Sequence, residues 1–243
     1  MKKIIAGNWK MNTSRSEAKT LASALTKHNQ AVSDRFDMIV CPPSIWLTDI
    51  VDTAKGSALA VGSQDIHEKE KGAFTGNVSA AMLKDAGVTY ALVGHSERRQ
   101  FHNETNALVK AKAEAAIAAG ITPIICVGEV EAERNSGSQE FVVGQQLAES
   151  LPATGKYIVA YEPVWAIGTG KTATPEDVRA MHGFIRQTLA KAVDHADQVA
   201  ILYGGSVKSS NASEILATIN VDGVLVGGSS LDAEEFWAIA QAA

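Results

Sequence analysis

The strongest constraint on this chain is a rhythm: eight strand-like runs, each followed by a stretch with helical spacing. The runs are Lys3–Asn8, Phe36–Cys41, Leu59–Ser63, Tyr90–Val93, Thr122–Val127, Tyr157–Tyr161, Val199–Tyr203 and Gly223–Val226. Most are continuously apolar rather than alternating, the pattern of parallel strands buried on both faces. The gaps carry helix signals. Ser14-Arg15-Ser16-Glu17 has the form of a capping box, with Ala18, Leu21 and Leu25 on one face behind it. Leu108, Ala111, Ala115 and Ala118 make a stripe that stops at Gly120. Thr174-Pro175-Glu176-Asp177 supplies an N-cap, a proline at the first helical position and acids in the first turn. Val178, Met181, Ile185 and Leu189 form the apolar face of that helix. Asp232 and Glu235 open a last helix, with Phe236 and Ile239 on one side.

Eight β–α units predict a (β/α)8 barrel, a single domain over residues 1–243. An open doubly wound sheet is the alternative within the α/β class. Against it, no Gly-x-Gly-x-x-Gly follows the first strand, where the turn is Gly7-Asn8-Trp9-Lys10. Linkers, repeats and low-complexity segments are absent. A net charge of −5, with no run of five like charges, argues against a nucleic-acid partner and a polybasic membrane patch. No apolar stretch approaches membrane-spanning length. Behind Met1-Lys2-Lys3, the run Ile4-Ile5-Ala6 is too short for the core of a signal peptide. Cys41 and Cys126 are the only cysteines and suggest no disulfide framework. The expectation is a cytoplasmic enzyme.

In a barrel of this kind the reacting groups project from the C-terminal ends of the strands, which narrows the search. The first strand ends at Asn8, with Lys10 just beyond. The fourth ends in Gly94-His95-Ser96-Glu97-Arg98-Arg99, the fifth in Cys126-Val127-Gly128-Glu129 and the sixth in Glu162. His28, His67, His102, His182 and His195 lie in helices or loops away from strand ends, so His95 stands apart. A helix start at Ser96 would favour its neutral imidazole. Lys10 reads equally as a solvated lysine or a buried cation, and Asn8 as a turn former or a substrate donor.

Ala160–Lys171 is the most informative stretch. Pro163 forbids the strand from continuing and biases Glu162 toward an extended backbone. Four apolar residues follow, Val164 to Ile167, and then the flexible joint Gly168-Thr169-Gly170. This reads as an acid–base residue beside a hinged apolar lid, or else as a buried carboxylate beside an ordinary loop. Strands seven and eight end in Gly204-Gly205-Ser206 and Gly227-Gly228-Ser229-Ser230. With Gly168, these turns could aim several backbone N–H groups at one phosphate.

Gly170-Lys171-Thr172 resembles the end of a P-loop, but the position that must be glycine is Trp165. No metal site is apparent, because no histidine or cysteine spacing suits one, and there is no Gly-x-Ser-x-Gly elbow. What remains is a carboxylate, an imidazole, an ammonium, an amide and an anion cradle. Those parts suit proton abstraction beside a carbonyl in a small phosphorylated sugar. A phosphate-binding lyase or decarboxylase would need the glycine turns but not Asn8, Lys10, His95 and Glu162 together. A non-catalytic barrel would need none of the four.

Four segments in order resemble the triosephosphate isomerase family. They are Gly7-Asn8-Trp9-Lys10-Met11-Asn12, Val93-Gly94-His95-Ser96-Glu97-Arg98-Arg99, Ala160–Gly170 and Tyr203-Gly204-Gly205-Ser206-Val207. The resemblance spans the whole chain. It implies a TIM barrel that interconverts dihydroxyacetone phosphate and glyceraldehyde 3-phosphate without a cofactor. In this reading Glu162 is the base and His95 the electrophile, while Lys10 balances charge and Asn8 donates to a substrate oxygen. Gly168, Ser206, Gly227 and Gly228 would hold the phosphate, with Glu97 and Cys126 supporting the site. The resemblance also makes the long loop from Gln64 to Ser79 a homodimer element, its Thr75 reaching the partner near Asn8. The chain departs from the family pattern at Ser229, where alanine is common, and at Glu131, where leucine is usual.

Overall fold

Strands buried on both faces suit either an open sheet or a barrel, and this chain closes the sheet on itself. The computed structural model describes residues 2–30, 34–169 and 171–243. Its strands are β1 (Lys3–Asn8), β2 (Phe36–Cys41), β3 (Ala60–Ser63), β4 (Tyr90–Val93), β5 (Thr122–Val127), β6 (Ile158–Tyr161), β7 (Ile201–Tyr203) and β8 (Gly223–Val226). Each pairs in parallel with the next, and β8 pairs with β1. The expected (β/α)8 barrel is therefore the observed fold, and the open sheet is excluded. Three predicted strands start earlier than the observed ones: Leu59, Tyr157, Val199 and Ala200 precede their strands. All four are buried, so apolar character alone does not mark where the ladder begins.

Alternation along each strand now has two apolar destinations. Ala6, Ile39, Leu92, Ile124, Ala160 and Leu225 point into the barrel. Their neighbours Ile5, Met38, Val93, Ile125, Val159 and Val224 point outward to the helices. That is why the strands read as unbroken apolar runs. Helix Arg15–His28 begins with the expected capping box and buries Ala18, Leu21 and Leu25. Helix Pro175–Ala192 starts at the Thr174 cap and buries Val178, Met181, Ile185 and Leu189. Truncating a fully buried side chain such as Ile185 to alanine would cost about 2–5 kcal/mol.

One predicted face is wrong. Helix Asn106–Ala118 buries Val109, Lys112, Ala113 and Ala116, one position away from the stripe through Leu108, Ala111, Ala115 and Ala118. The cause is electrostatic: Lys112 turns inward to meet Glu104 at 2.5 Å and Asp65 at 2.6 Å. Arg98 joins the cluster at 2.6 Å from Glu104 and 2.8 Å from Asp65. Asp65 stands at the start of the Gln64–Ser79 loop, so this cluster ties the loop to two helices. The loop has order of its own. His67 pairs in a bridge with Ser79 and stacks on Phe74, with ring centroids 4.3 Å apart.

His182 is wholly buried between Tyr161 and Tyr203, and its Nδ1 lies 2.9 Å from the Asn220 carbonyl oxygen. A carbonyl only accepts, so Nδ1 carries the hydrogen, and Nε2 has no partner among the described residues. Burial pushes the imidazole down to about 4 from an ordinary 6.5, with Arg186 and Lys3 adding to the shift and the Asn220 bond opposing it. A neutral native histidine and a protonatable unfolded one make folding lose stability as pH falls from 6.5 toward 4. The loss attributable to His182 is on the order of 3 kcal/mol. Urea unfolding across that range should show His182→Phe with a shallower decline than the parent chain, by about one proton's slope.

Candidate active site

β6 runs into Glu162 and stops there, because Pro163 has no N–H with which to extend the ladder. The Glu162 N–H donates to the Val127 carbonyl at 2.8 Å, which fixes the backbone of the carboxylate. The side chain is 2% exposed. Its Oε1 lies 2.8 Å from His95 Nε2, and its Oε2 accepts the Ser96 N–H at 2.9 Å. Burial pushes this carboxyl up, but His95, the Ser96 N–H and Lys10 outweigh burial and hold it below the usual carboxylate range.

β4 ends at Val93, and His95 then caps helix Ser96–Phe101. The imidazole Nδ1 accepts the Glu97 N–H at 3.2 Å, which places the ring hydrogen on Nε2, facing Glu162. Burial and Lys10 push the imidazole down, while Glu162 and Glu97 push it up and prevail in this arrangement. The upward push depends on Glu162 staying where it is.

Lys10 adopts the left-handed region, with φ of 52°, a strained conformation for a residue with a side chain. Two bonds hold it: its N–H donates to Asn8 Oδ1 at 3.0 Å, and its carbonyl accepts from Gln64 Nε2 at 2.8 Å. Lys10 Nζ reaches Glu97 Oε1 at 2.6 Å, and the other Glu97 oxygen lies 3.6 Å from His95 Nδ1. Ammonium, carboxylates and imidazole thus form one chain of contacts from β1 to β6.

Asn8, Lys10, His95, Glu162, Gly168, Ser206, Gly227 and Gly228 all line one cleft of about 630 Å³ at the C-terminal rim. Among the described residues, the N–H groups of Gly168, Ser206 and Gly227 have no acceptor within the chain. Gly168 takes a φ of 68°, the left-handed value expected for a joint. Gly170 lies outside the described residues. Val164–Ala166 forms one 3₁₀ turn over the rim. Trp165 Nε1 donates to Glu129 at 2.8 Å, the Tyr161 hydroxyl donates to the same oxygen at 3.0 Å, and Arg134 lies over the indole. Ser206 Oγ donates to the Ala166 carbonyl at 3.0 Å.

The remaining singled-out residues sit outside the cleft wall. Glu97 touches the site through Lys10 and His95. Cys126 is buried and lines a separate hollow of about 300 Å³ behind Glu162. Thr75 is exposed on the Gln64–Ser79 loop and lines neither. Sequence reasoning missed Gln64, whose amide also reaches the Cys41 carbonyl at 2.9 Å. It missed Glu129 as the anchor of Trp165, and Arg99, which donates to the carbonyls of Gly94 and Cys126. Gln64 follows a strand end directly, so the rim rule that selected Glu162 could have selected it; Glu129 stood among the rim residues without a task. Of the two departures, Ser229 lines the cleft and Glu131 makes an exposed ion pair with Lys171.

A closed (β/α)8 barrel whose rim joins a carboxylate–imidazole pair to a set of unpaired backbone N–H groups defines an acid–base enzyme class for small anionic substrates. Comparison with known proteins narrows the class. The profile described as triosephosphate isomerase matches residues 3–243. The triosephosphate isomerase of Delftia acidovorans is 50% identical over 100% of this chain and 99% of its own length. That of Xanthomonas oryzae is 49% identical over 100% of this chain and 98% of its own length. A crystal structure of triosephosphate isomerase from Bartonella henselae superposes with a TM-score of 0.92 at 39% identity, covering 100% of this chain and 99% of that one. The chain belongs to the triosephosphate isomerase family.

Both thiols are buried, and burial pushes Cys41 up to about 12 and Cys126 well above its ordinary range. Thiolate is the reactive form. An aromatic disulfide reagent at mildly alkaline pH should therefore titrate neither cysteine in the folded protein and both after denaturation, read by absorbance.

Proposed function

We propose that this chain catalyses the reversible interconversion of dihydroxyacetone phosphate and D-glyceraldehyde 3-phosphate through an enediolate, as part of glycolysis and gluconeogenesis. The observation that carries the reading is the 2.8 Å contact between Glu162 and the Nε2–H of His95, opening onto a cleft edged by unpaired backbone N–H groups. Glu162, held ionised, takes a proton from the carbon beside the carbonyl. The electron pair of the broken C–H bond forms the C–C double bond, and the carbonyl oxygen gains the charge. The former carbonyl oxygen takes its proton from His95, which recovers one from the hydroxyl of the adjacent carbon. That hydroxyl oxygen becomes the new carbonyl, and Glu162 returns its proton to the former carbonyl carbon.

His95 supplies the donor for the developing oxyanion. Once the carboxylate leaves the imidazole for substrate, the largest upward push on the ring is gone. Burial and Lys10 then favour the neutral form, with its hydrogen on Nε2. Lys10 stabilises phosphate and enediolate charge, and Asn8 donates to a substrate oxygen. Gly168, Ser206, Gly227 and Gly228 present N–H groups to the phosphate. Val164–Ile167 closes over the intermediate, excluding water and holding the phosphate out of the geometry in which it would be eliminated. Among the described residues no helix is long and apolar enough to cross a membrane. As a member of a glycolytic family, the enzyme is assigned to the cytoplasm.

A coupled assay with glyceraldehyde 3-phosphate tests the reaction, and absence of turnover by the folded protein would refute it. Glu162→Gln should lower turnover by roughly 10²–10⁴-fold, with an unchanged circular dichroism spectrum. Wild-type turnover in that variant would place the base elsewhere.

The same reading makes the protein a homodimer. Met11, Ile45, Phe74, Met82 and Phe101 are large apolar side chains left exposed. Ser44, Thr75, Leu83 and His102 border one hollow of about 390 Å³, each next in sequence to one of those apolar residues. A second copy of this loop would fill it and bring Thr75 to the partner's Asn8. Sedimentation at micromolar protein should give a dimer; a fully active monomer would overturn the assignment.

A further inference from the structure

Gly128 occupies the place where β5 runs on past its neighbour. The Val127 carbonyl accepts from Glu162 at 2.8 Å, and the Glu129 carbonyl accepts from Val164 at 3.1 Å. Peptide groups alternate sides along an extended chain, so Val127 and Glu129 face β6 and Gly128 faces the other way. On that side β4 has already ended, its last residue Val93 paired with Ile125. The Gly128 N–H and carbonyl would be left without partners, a cost comparable to a lost hydrogen bond for each.

Gln146 fills the place of the missing strand. It projects from helix Gln139–Ser150, accepts the Gly128 N–H on Oε1 at 2.7 Å and donates from Nε2 to the Gly128 carbonyl at 2.9 Å. A primary amide presents a donor and an acceptor in one plane, as a peptide group does. Gly128 in turn lies directly on the backbone of Glu162. A Cβ on Gly128 would stand 1.8 Å from the Glu162 carbonyl oxygen and 2.7 Å from its carbonyl carbon. The hollow behind Glu162 is bounded by Gly128 and Gln146 together.

We propose that Gln146 is a positioning residue for the reaction. By clamping both polar groups of the Gly128 peptide, it sets the surface on which the Glu162 backbone rests and thereby aims the carboxylate into the cleft. The inference rests on Glu162 being the base. It differs from a role in docking the helix, because a docking residue would change the amount of folded enzyme and not the rate per folded molecule.

Three variants of the full-length enzyme test it: Gln146→Leu, Gln146→Glu and, as the control on the base, Glu162→Gln. Gln146→Leu removes both bonds, and kcat per folded molecule should fall about 10–100-fold with KM unchanged. In Gln146→Glu the neutral carboxyl keeps one donor and one acceptor, whereas the ionised form turns an acceptor toward the Gly128 carbonyl. Its kcat relative to the parent should therefore rise as pH is lowered from about 8 to about 5. That ratio decides the matter should Gln146→Leu fail to fold. A pH-independent ratio, a Gln146→Leu enzyme with parental kcat, or a loss that tracks the unfolded fraction would each overturn the proposal. If instead Glu162→Gln remains active, the assignment of the base is what fails.

Discussion

The closure of β8 onto β1 is the constraint on which everything else depends. It requires the two backbones to approach at Gly223, where a Cβ would stand 2.0 Å from the Ile4 carbonyl oxygen. With the sheet closed, each of the eight strands has a hydrogen-bonded neighbour on both sides and no edge is exposed. Because all eight strands run the same way, their C-terminal ends form one rim. Residues separated by more than two hundred positions in sequence, such as Asn8 and Gly227, then share one cleft. The cleft is a consequence of topology before it is a consequence of any side chain.

On that rim the site is held chiefly by backbone. Glu162 is fixed by its own N–H to Val127 and by the Ser96 N–H on its carboxylate, and His95 by the Glu97 N–H on its ring. Main-chain donors cannot change rotamer, so the pair stays oriented without a bound substrate. The charges are less rigid. Lys10 and Glu97 face each other at partly exposed positions, and that contact can exchange for one with an anion in the cleft. Geometry is thus carried by peptide groups and charge balance by mobile side chains.

Much of this was legible in the sequence, and the misses share a cause. The barrel, the caps at Ser14 and Thr174, and the rim positions of Asn8, Lys10, His95 and Glu162 follow from periodicity and punctuation, which are local. The inward face of helix Asn106–Ala118 was misread because Lys112, a residue expected in water, is buried against Glu104 and Asp65. Arg99 carries no local signal of its task either, since it binds a carbonyl on a distant strand. Local pattern predicts elements and the ends of elements. It does not predict a polar group whose partner lies elsewhere in the chain.

The cluster of Asp65, Arg98, Glu104 and Lys112 has a consequence for how this sequence can drift. Two acids and two bases share one partly desolvated space, and each acid pairs with both bases, so the loss of any one member leaves its partners with a single counter-charge. Asp65 belongs to the Gln64–Ser79 loop, so the shape of that surface segment is inherited from helices it does not adjoin in sequence.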